Sequence, residues 1–365
     1  MEKIAIVLNS SWQAYNFRLN LARALKKAGY EVIFIAPYDQ KYSELLKREF
    51  KFLNINIDSM GLNPVNDLRV LISLFFLYKK EAIDIVLNFT IKPNIYSSIA
   101  SGLLNIKSIS NITGLGTIFI KQSLITKMVK ILYKIALGFN SKVFFQNKSD
   151  QRFFLENGLV AERITDLLPG SGVDLDKFIP VEKSIINNKI IFLLIARLLK
   201  DKGLLEYIEA IKIIKDRYDN VEFQILGAVD SLNRTAINKE ELQSWIDDKL
   251  VSYLGTTDAV EKVISQCDCV LLPSYREGTP RSLLEACAME KPIIATDVAG
   301  CRDIVDDGIN GFLCKVKSPE DLADKIELML NLSDNERLLM GKAGRKKIRE
   351  QFDEKIVITR YLASI

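Results

Sequence analysis

The chain has 365 residues, 48% hydrophobic and 26% charged, with a net charge of +4; the length suits two domains and the composition a globular chain, which excludes disordered and fibrous classes. It contains no histidine, so Ser-His-Asp catalysis, histidine general bases and histidine-ligated zinc are excluded, leaving carboxylates, Lys, Arg and backbone N–H groups to carry chemistry. Five cysteines, an odd number, occur in a chain whose first residues run straight into a buried-strand pattern, so neither a disulfide framework nor an export signal is expected.

In chain order the patterns predict a strand from Lys3 to Leu8, an amphipathic helix from Phe17 to Ala28, a strand from Glu31 to Ala36 and a helix from Lys41 to Phe50. The most apolar stretch, Val70 to Tyr78, is broken by Lys79, Lys80 and Glu81 and falls short of the roughly 20 apolar residues a membrane-spanning helix needs. Strands follow at Ile83 to Asn88, Ser108 to Asn111 and Lys142 to Gln146. A turn-rich passage from Pro169 to Pro180, then a polar stretch to Asn188, marks the domain boundary. Beyond it strands are expected at Ile190 to Ala196, Glu222 to Leu226, Val251 to Leu254, Cys269 to Leu272, Ile293 to Thr296 and Gly311 to Lys315, with helix from Pro319 almost to Ile365. Such alternation argues for parallel, doubly wound sheets. The expected domains are 1–178, 179–346 and a C-terminal helical segment, 347–365.

The most informative segment is Pro273-Ser-Tyr-Arg-Glu-Gly-Thr-Pro-Arg-Ser-Leu-Leu-Glu285. It follows a short apolar strand and leads into a helix with Pro280 near its first position, where a missing N–H costs nothing. A turn at the carboxyl end of a strand in an open parallel sheet is where ligands bind, and a helix N-terminus there offers N–H groups to an anion. Glu277 lies in the turn and Glu285 about one and a half helical turns into the helix, so the two address different parts of one extended ligand.

This segment resembles the Glu, seven residues, Glu signature of the retaining glycosyltransferases of GT-B architecture (glycosyltransferase family 4). Lys291-Pro-Ile-Ile-Ala-Thr-Asp-Val-Ala-Gly300, Ile304 to Leu313 and Ile195-Ala-Arg197-Leu-Leu-Lys-Asp-Lys202-Gly203 resemble the same family, in the same order. Asn88 to Tyr96 and Asn111 to Thr117 look most like bacterial enzymes that add an N-acetylhexosamine or hexose to a polyprenyl-diphosphate-linked glycan, with N-acetylgalactosamine the sugar first expected. The resemblance implies two Rossmann-like domains facing a central cleft, with the last helix returning to the N-terminal domain. It also implies that Arg197 and Lys202 clamp the leaving diphosphate, Glu285 accepts the ribose hydroxyls, Glu277 takes hydroxyls of the transferred sugar, and Gly278, Thr279, Pro280, Arg281 and Ser282 lie near sugar and phosphates. Gly114 and Gly116, two glycines after a strand, permit close backbone approach to a ligand such as the donor, and a tight turn alone explains them as well. Many family members carry a glycine pair after the first strand, where this chain has Asn9-Ser-Ser-Trp12, and a histidine in the N-terminal domain, whose place Asn88, Thr90, Asn111 or Thr113 would take.

No cofactor and no metal are expected. The Cys267-x-Cys269 pair has no second pair at zinc spacing, and Asp174-Leu-Asp176 reads as an Asx-turn between domains. Charge is uneven: residues 1–170 hold 22 Lys and Arg against 13 Asp and Glu, a balance of +9, and between Asp84 and Asp150 there is no acid at all. Lys127, Lys130 and Lys134, with Lys121 upstream, recur beside Leu124, Met128, Ile131 and Ile135 as in a helix that lies on an anionic membrane surface. The expected partners are a nucleotide-sugar donor, a lipid-linked glycan acceptor and that membrane, with no nucleic acid. The expected location is cytoplasmic, peripheral on the inner face of the membrane. Two rivals remain open: a sugar-nucleotide epimerase of related fold, which needs no membrane acceptor, and a non-catalytic nucleotide-sugar-binding module, which would not need both carboxylates.

Overall fold

The structure, a computed structural model, describes residues 1–58, 63–114, 124–181, 189–229, 233 and 235–365. Two compact units form, one from Met1–Ser171 with Val357–Ile365, the other from Gly172–Ile356. The first alternates β1 (Lys3–Val7), α1 (Ser11–Lys27), β2 (Glu31–Ala36), α2 (Tyr42–Lys47), β3 (Lys51–Asn54), α3 (Pro64–Glu81), β4 (Ile85–Phe89), α4 (Ser98–Leu103), β5 (Lys107–Ile112), α5 (Leu124–Leu137), β6 (Lys142–Phe145), α6 (Lys148–Glu156) and β7 (Thr165–Leu167). Its strands pair in the order β3-β2-β1-β4-β5-β6-β7, parallel throughout. The order reverses direction between β1 and β4, which makes their carboxyl ends the switch point of this sheet.

A parallel strand is covered on both faces, so consecutive apolar residues serve two cores. In β1, Ile4 and Ile6 join one cluster with α1 residues such as Leu21 and Leu25, while Ala5 and Val7 join another with Val70, Leu74 and Tyr78 of α3. α1 starts at Ser11, six residues before the expected helix, because the Ser10 hydroxyl caps it by accepting from the Gln13 N–H.

The second unit runs β8 (Ile190–Ile195), α7 (Leu204–Lys215), β9 (Val221–Leu226), α8 (Lys239–Asp247), β10 (Ser252–Tyr253), α9 (Val260–Gln266), β11 (Cys269–Leu272), α10 (Arg281–Ala288), β12 (Ile293–Thr296), α11 (Ala299–Arg302), β13 (Gly311–Cys314), α12 (Pro319–Asn331) and α13 (Asp334–Gln351). Its parallel sheet has the order β10-β9-β8-β11-β12-β13 and switches between β8 and β11. Cys269 and Leu271 face one core, Val270 and Leu272 the other.

The unit boundaries differ from the expected 178 and 346. The Val173 N–H donates to the Phe352 carbonyl at 3.0 Å and the Glu354 N–H to the Val173 carbonyl at 3.1 Å. Val173 and Phe178 then pack with Ile348 and Phe352 in one core, so the turn-rich passage from Gly172 onward and α13 both belong to the second unit. Of the expected C-terminal segment only Val357–Ile365, most of α14 (Glu354–Leu362) and the tail after it, belongs to the first, where Val357 and Tyr361 are buried and the Tyr361 ring lies 5.0 Å from Phe144 and 5.9 Å from Phe89.

Candidate functional site

The site is built on the carboxyl ends of the adjacent strands β8, β11 and β12. The chain leaves β8 through Arg197 and makes a short turn at Lys200–Lys202 that ends on Gly203, whose φ is 75°. A side chain there would stand 2.0 Å from the Pro273 carbonyl, so glycine lets this turn rest directly on the end of β11. The Tyr275 N–H then donates to the Asp201 carbonyl at 3.0 Å. With the two turns tied together, Lys202 and Glu277 meet: Nζ to Oε1 is 2.5 Å, with 19% and 12% of the side chains exposed. Arg197 is exposed on the same strand end.

On the other side of the Glu277 turn, Gly300 is the second residue of α11. A side chain at Gly300 would lie 1.8 Å from the Gly278 carbonyl, so this glycine fixes where the Glu277-Gly278 backbone runs. The Thr296 hydroxyl donates to the Ser274 carbonyl, which pins the start of the same turn to β12.

α10 begins at Arg281, with Pro280 as its N-cap, one position earlier than the sequence pattern placed it. Pro280 is buried, while Gly278, Thr279, Arg281 and Ser282 are half-buried. No side chain caps this helix, and its first-turn N–H groups have no intrahelical acceptor. Four residues in, Glu285 pairs with Arg281, Nε to Oε1 3.0 Å, the carboxylate 12% exposed. Burial pushes the Glu285 carboxyl above its ordinary range, and the Arg281 charge beside it pulls the other way.

Both signature carboxylates are thus held by cations of the same site. The partner of Glu277 is 75 residues away in sequence, which is why spacing could not reveal the pair. Residues that sequence reasoning missed are Tyr275, whose hydroxyl donates to Glu206 at 2.6 Å and whose ring carries Lys317 Nζ at 4.8 Å, and Gly300. The signal for Gly300 was present, since it ends the stretch Lys291 to Gly300.

In the first unit, Gly114 follows β5 with φ 141°; Gly116, Thr117 and Lys121 lie outside the described residues. Of the four residues weighed as stand-ins for a histidine, Asn88 is already committed. Its Oδ1 accepts from Ser97 and its Nδ2 donates to Ser98 and Ser108, all buried. Thr90 has φ 70°, a strained backbone for a β-branched residue. The buried Thr90 Oγ1, Asn9 Oδ1, Asn94 Oδ1 and Asn111 Oδ1 have no hydrogen-bond partner. Asn9, Thr90 and Asn111 stand at the ends of β1, β4 and β5, three neighbouring strands, and Asn94 is tied to this edge by donating to the Asn111 carbonyl.

Asp174 forms the expected Asx-turn, its Oδ1 accepting from the N–H groups of Asp176 and Lys177 at 2.9 and 3.0 Å. The five cysteines are buried and none is in a disulfide, and among the described residues no three Cys, Asp or Glu side chains stand close enough to share an ion.

Comparison with known proteins agrees with this geometry. Residues 176–347 match the family model described as glycosyl transferases group 1, and residues 3–147 the one described as glycosyl transferase 4-like. The chain is similar to the N,N'-diacetylbacillosaminyl-diphospho-undecaprenol alpha-1,3-N-acetylgalactosaminyltransferase of Campylobacter jejuni, 30% identical over 99% of this chain and 97% of that protein. It is also similar to the UDP-Gal:alpha-D-GlcNAc-diphosphoundecaprenol alpha-1,3-galactosyltransferase of Escherichia coli, 28% identical over 80% of this chain and 78% of that one. A crystal structure of a glycosyltransferase from Rickettsia africae superimposes with a TM-score of 0.80 at 22% identity, covering 99% of this chain and 97% of that one. The expected class, paired doubly wound α/β domains of GT-B type, is the one found, and the chain belongs to the group 1, family 4-like glycosyltransferases.

Proposed function

We propose that this glycosyltransferase moves a hexose or N-acetylhexosamine, N-acetylgalactosamine first, from a UDP-sugar to a polyprenyl-diphosphate-linked glycan, with retention of configuration, in the assembly of a surface polysaccharide or protein-linked glycan. The observation that carries this reading is the Lys202–Glu277 pair at the β8/β11 switch point, beside the uncapped start of α10. Cations and a helix N-terminus at one strand edge suit a diphosphate, and a carboxylate within reach of them suits sugar hydroxyls. The Campylobacter and Escherichia relatives, named for undecaprenyl-diphosphate acceptors, support the choice of acceptor.

In this reading Glu285 accepts the ribose hydroxyls and Glu277 those of the transferred sugar, while the backbone N–H groups of Gly278, Thr279, Arg281 and Ser282 approach the phosphates. As the bond between the anomeric carbon and the diphosphate oxygen breaks, its electron pair goes to that oxygen, where Arg197 and Lys202 stabilise the growing charge. The acceptor hydroxyl attacks the anomeric carbon from the same face and its proton passes to the departing phosphate oxygen, so no protein base is needed. Lys202 must be shared between Glu277 and the diphosphate when the donor arrives. No metal is required, and chelation with EDTA should leave turnover unchanged. The protein would work at the inner face of the cytoplasmic membrane, where such an acceptor is anchored.

Incubation with UDP-N-acetylgalactosamine, UDP-N-acetylglucosamine, UDP-galactose and UDP-glucose against polyprenyl-diphosphate glycans tests this. The expected result is UDP and a glycolipid one sugar longer from one pair. Interconversion of the sugar nucleotide without transfer would contradict the proposal and point to an epimerase.

A further inference from the structure

α3 and α5 both cover one face of the first sheet. Ala5 pairs with Val86 and Val86 with Ser108, Ser110 with Val143 and Ile112 with Phe145; side chains alternate along a strand, so these all point to the same side. On that side α3 buries Val70, Leu74 and Tyr78, and α5 buries Val129, Tyr133 and Leu137. The opposite side of each helix therefore faces away from the sheet in the same direction.

Those outward sides are apolar. On α3, Val65, Leu68, Ile72 and Phe76 are 44–64% exposed, spaced three and four apart so that they form one row. On α5, Leu124, Met128, Ile131 and Ile135 form a second row, 48–83% exposed. Single exposed apolar residues are ordinary, whereas two parallel rows on one layer mark an interaction surface.

The charges beside the rows have one sign. Arg69, Lys79 and Lys80 flank the α3 row and Lys127 and Lys134 the α5 row, all exposed. The acids of α3 are spent inward or sideways: Asp67 accepts from Lys92 Nζ at 2.5 Å and the Tyr96 hydroxyl at 2.8 Å, and Glu81 pairs with Lys51. α5 has no acid. Lys130, expected in the basic stripe, turns aside to Asn157 at 2.8 Å.

We propose that α3 and α5 together dock the protein on an anionic lipid bilayer, with both apolar rows at the boundary of headgroups and acyl chains and the flanking cations on lipid phosphates. This rests on the proposed function in that a lipid-linked acceptor is met at such a surface. It goes beyond the lysine stripe of α5 because α3 supplies a second row and the apolar contact holds when charge is screened. A second copy of the chain fits less well, since an isologous contact through this face sets cations against cations.

The test is flotation of the full chain with vesicles of three parts phosphatidylcholine to one part phosphatidylglycerol, without donor or acceptor. The parent should float. Leu68→Gln/Phe76→Gln and Met128→Gln/Ile131→Gln should each lower the bound fraction about tenfold, and the four together should abolish binding while leaving UDP affinity, the check on folding, unchanged. High salt should weaken parental binding without ending it. A parent that does not float, or a quadruple variant that floats like it, would overturn the proposal. So would a parent dimer that the quadruple variant converts to monomer with no flotation, which would assign the face to a second copy. Flotation without sugar transfer would sink the proposed function and leave this surface standing.

Discussion

At the carboxyl ends of its strands the second unit sets two ion pairs, Lys202 with Glu277 and Arg281 with Glu285. The first unit sets neutral side chains at the same edge of its sheet: Asn9, Thr90, Asn94 and Asn111, each with a buried oxygen that has no partner. The sheets obey the same winding rule, so topology does not explain the difference. A charged ligand is met by exchanging existing ion pairs, and an uncharged one by supplying hydrogen bonds that are missing. We expect the charged edge to hold the nucleotide diphosphate and the neutral edge to meet hydroxyl groups of a sugar.

The contrast breaks most visibly at Lys202. Lys202→Ala should lower turnover by about 10²–10³-fold, the scale of losing one transition-state electrostatic contact, with a smaller change in donor KM. A rise in KM alone, read from initial rates, would reduce Lys202 to a binding residue. Next comes Gly300→Ala, whose new methyl would meet the Gly278 carbonyl. It should cost about 2 kcal/mol by thermal or urea unfolding and weaken UDP, because the turn carrying Glu277 must move.

On the neutral edge, Thr90→Gly relieves a positive φ and should stabilise the fold by about 1 kcal/mol while slowing transfer about tenfold through loss of the hydroxyl. Gain in stability without loss of rate would make Thr90 a structural residue only. The smallest effect concerns pH. Burial raises the Glu285 carboxyl above its ordinary value of 4.5, so the folded chain holds that proton more tightly than the unfolded one. Its contribution is most favourable below 4.5 and is lost as pH rises through the raised value. Glu285→Gln should flatten that part of the stability profile, measured by urea unfolding across the acid range.

Strands with several consecutive β-formers were legible: β2, β11 and β12 fall where the sequence places them. β3 was not, because Lys51-Phe-Leu-Asn54 is a short edge strand with half-buried or exposed side chains and lacks a one-sided pattern. α3 was hidden by its own surface, since a helix that buries Val70, Leu74 and Tyr78 and exposes Val65, Leu68, Ile72 and Phe76 is apolar on both sides and shows no clear period. At the site, the local signature of Glu277 and Glu285 could be read, while the ion pair to Lys202 depends on two strands 75 residues apart becoming neighbours.

The division of labour between the two carboxylates is tested most directly by calorimetric titration of UDP into the parent, Glu285→Ala and Glu277→Ala. Glu285→Ala should weaken UDP by roughly 10- to 150-fold, the loss of charged hydrogen bonds worth about 1.5–3 kcal/mol, and Glu277→Ala should bind UDP as the parent does while failing in transfer. Equal UDP affinity in all three proteins would contradict the assignment of Glu285 to the nucleotide and of Glu277 to the sugar.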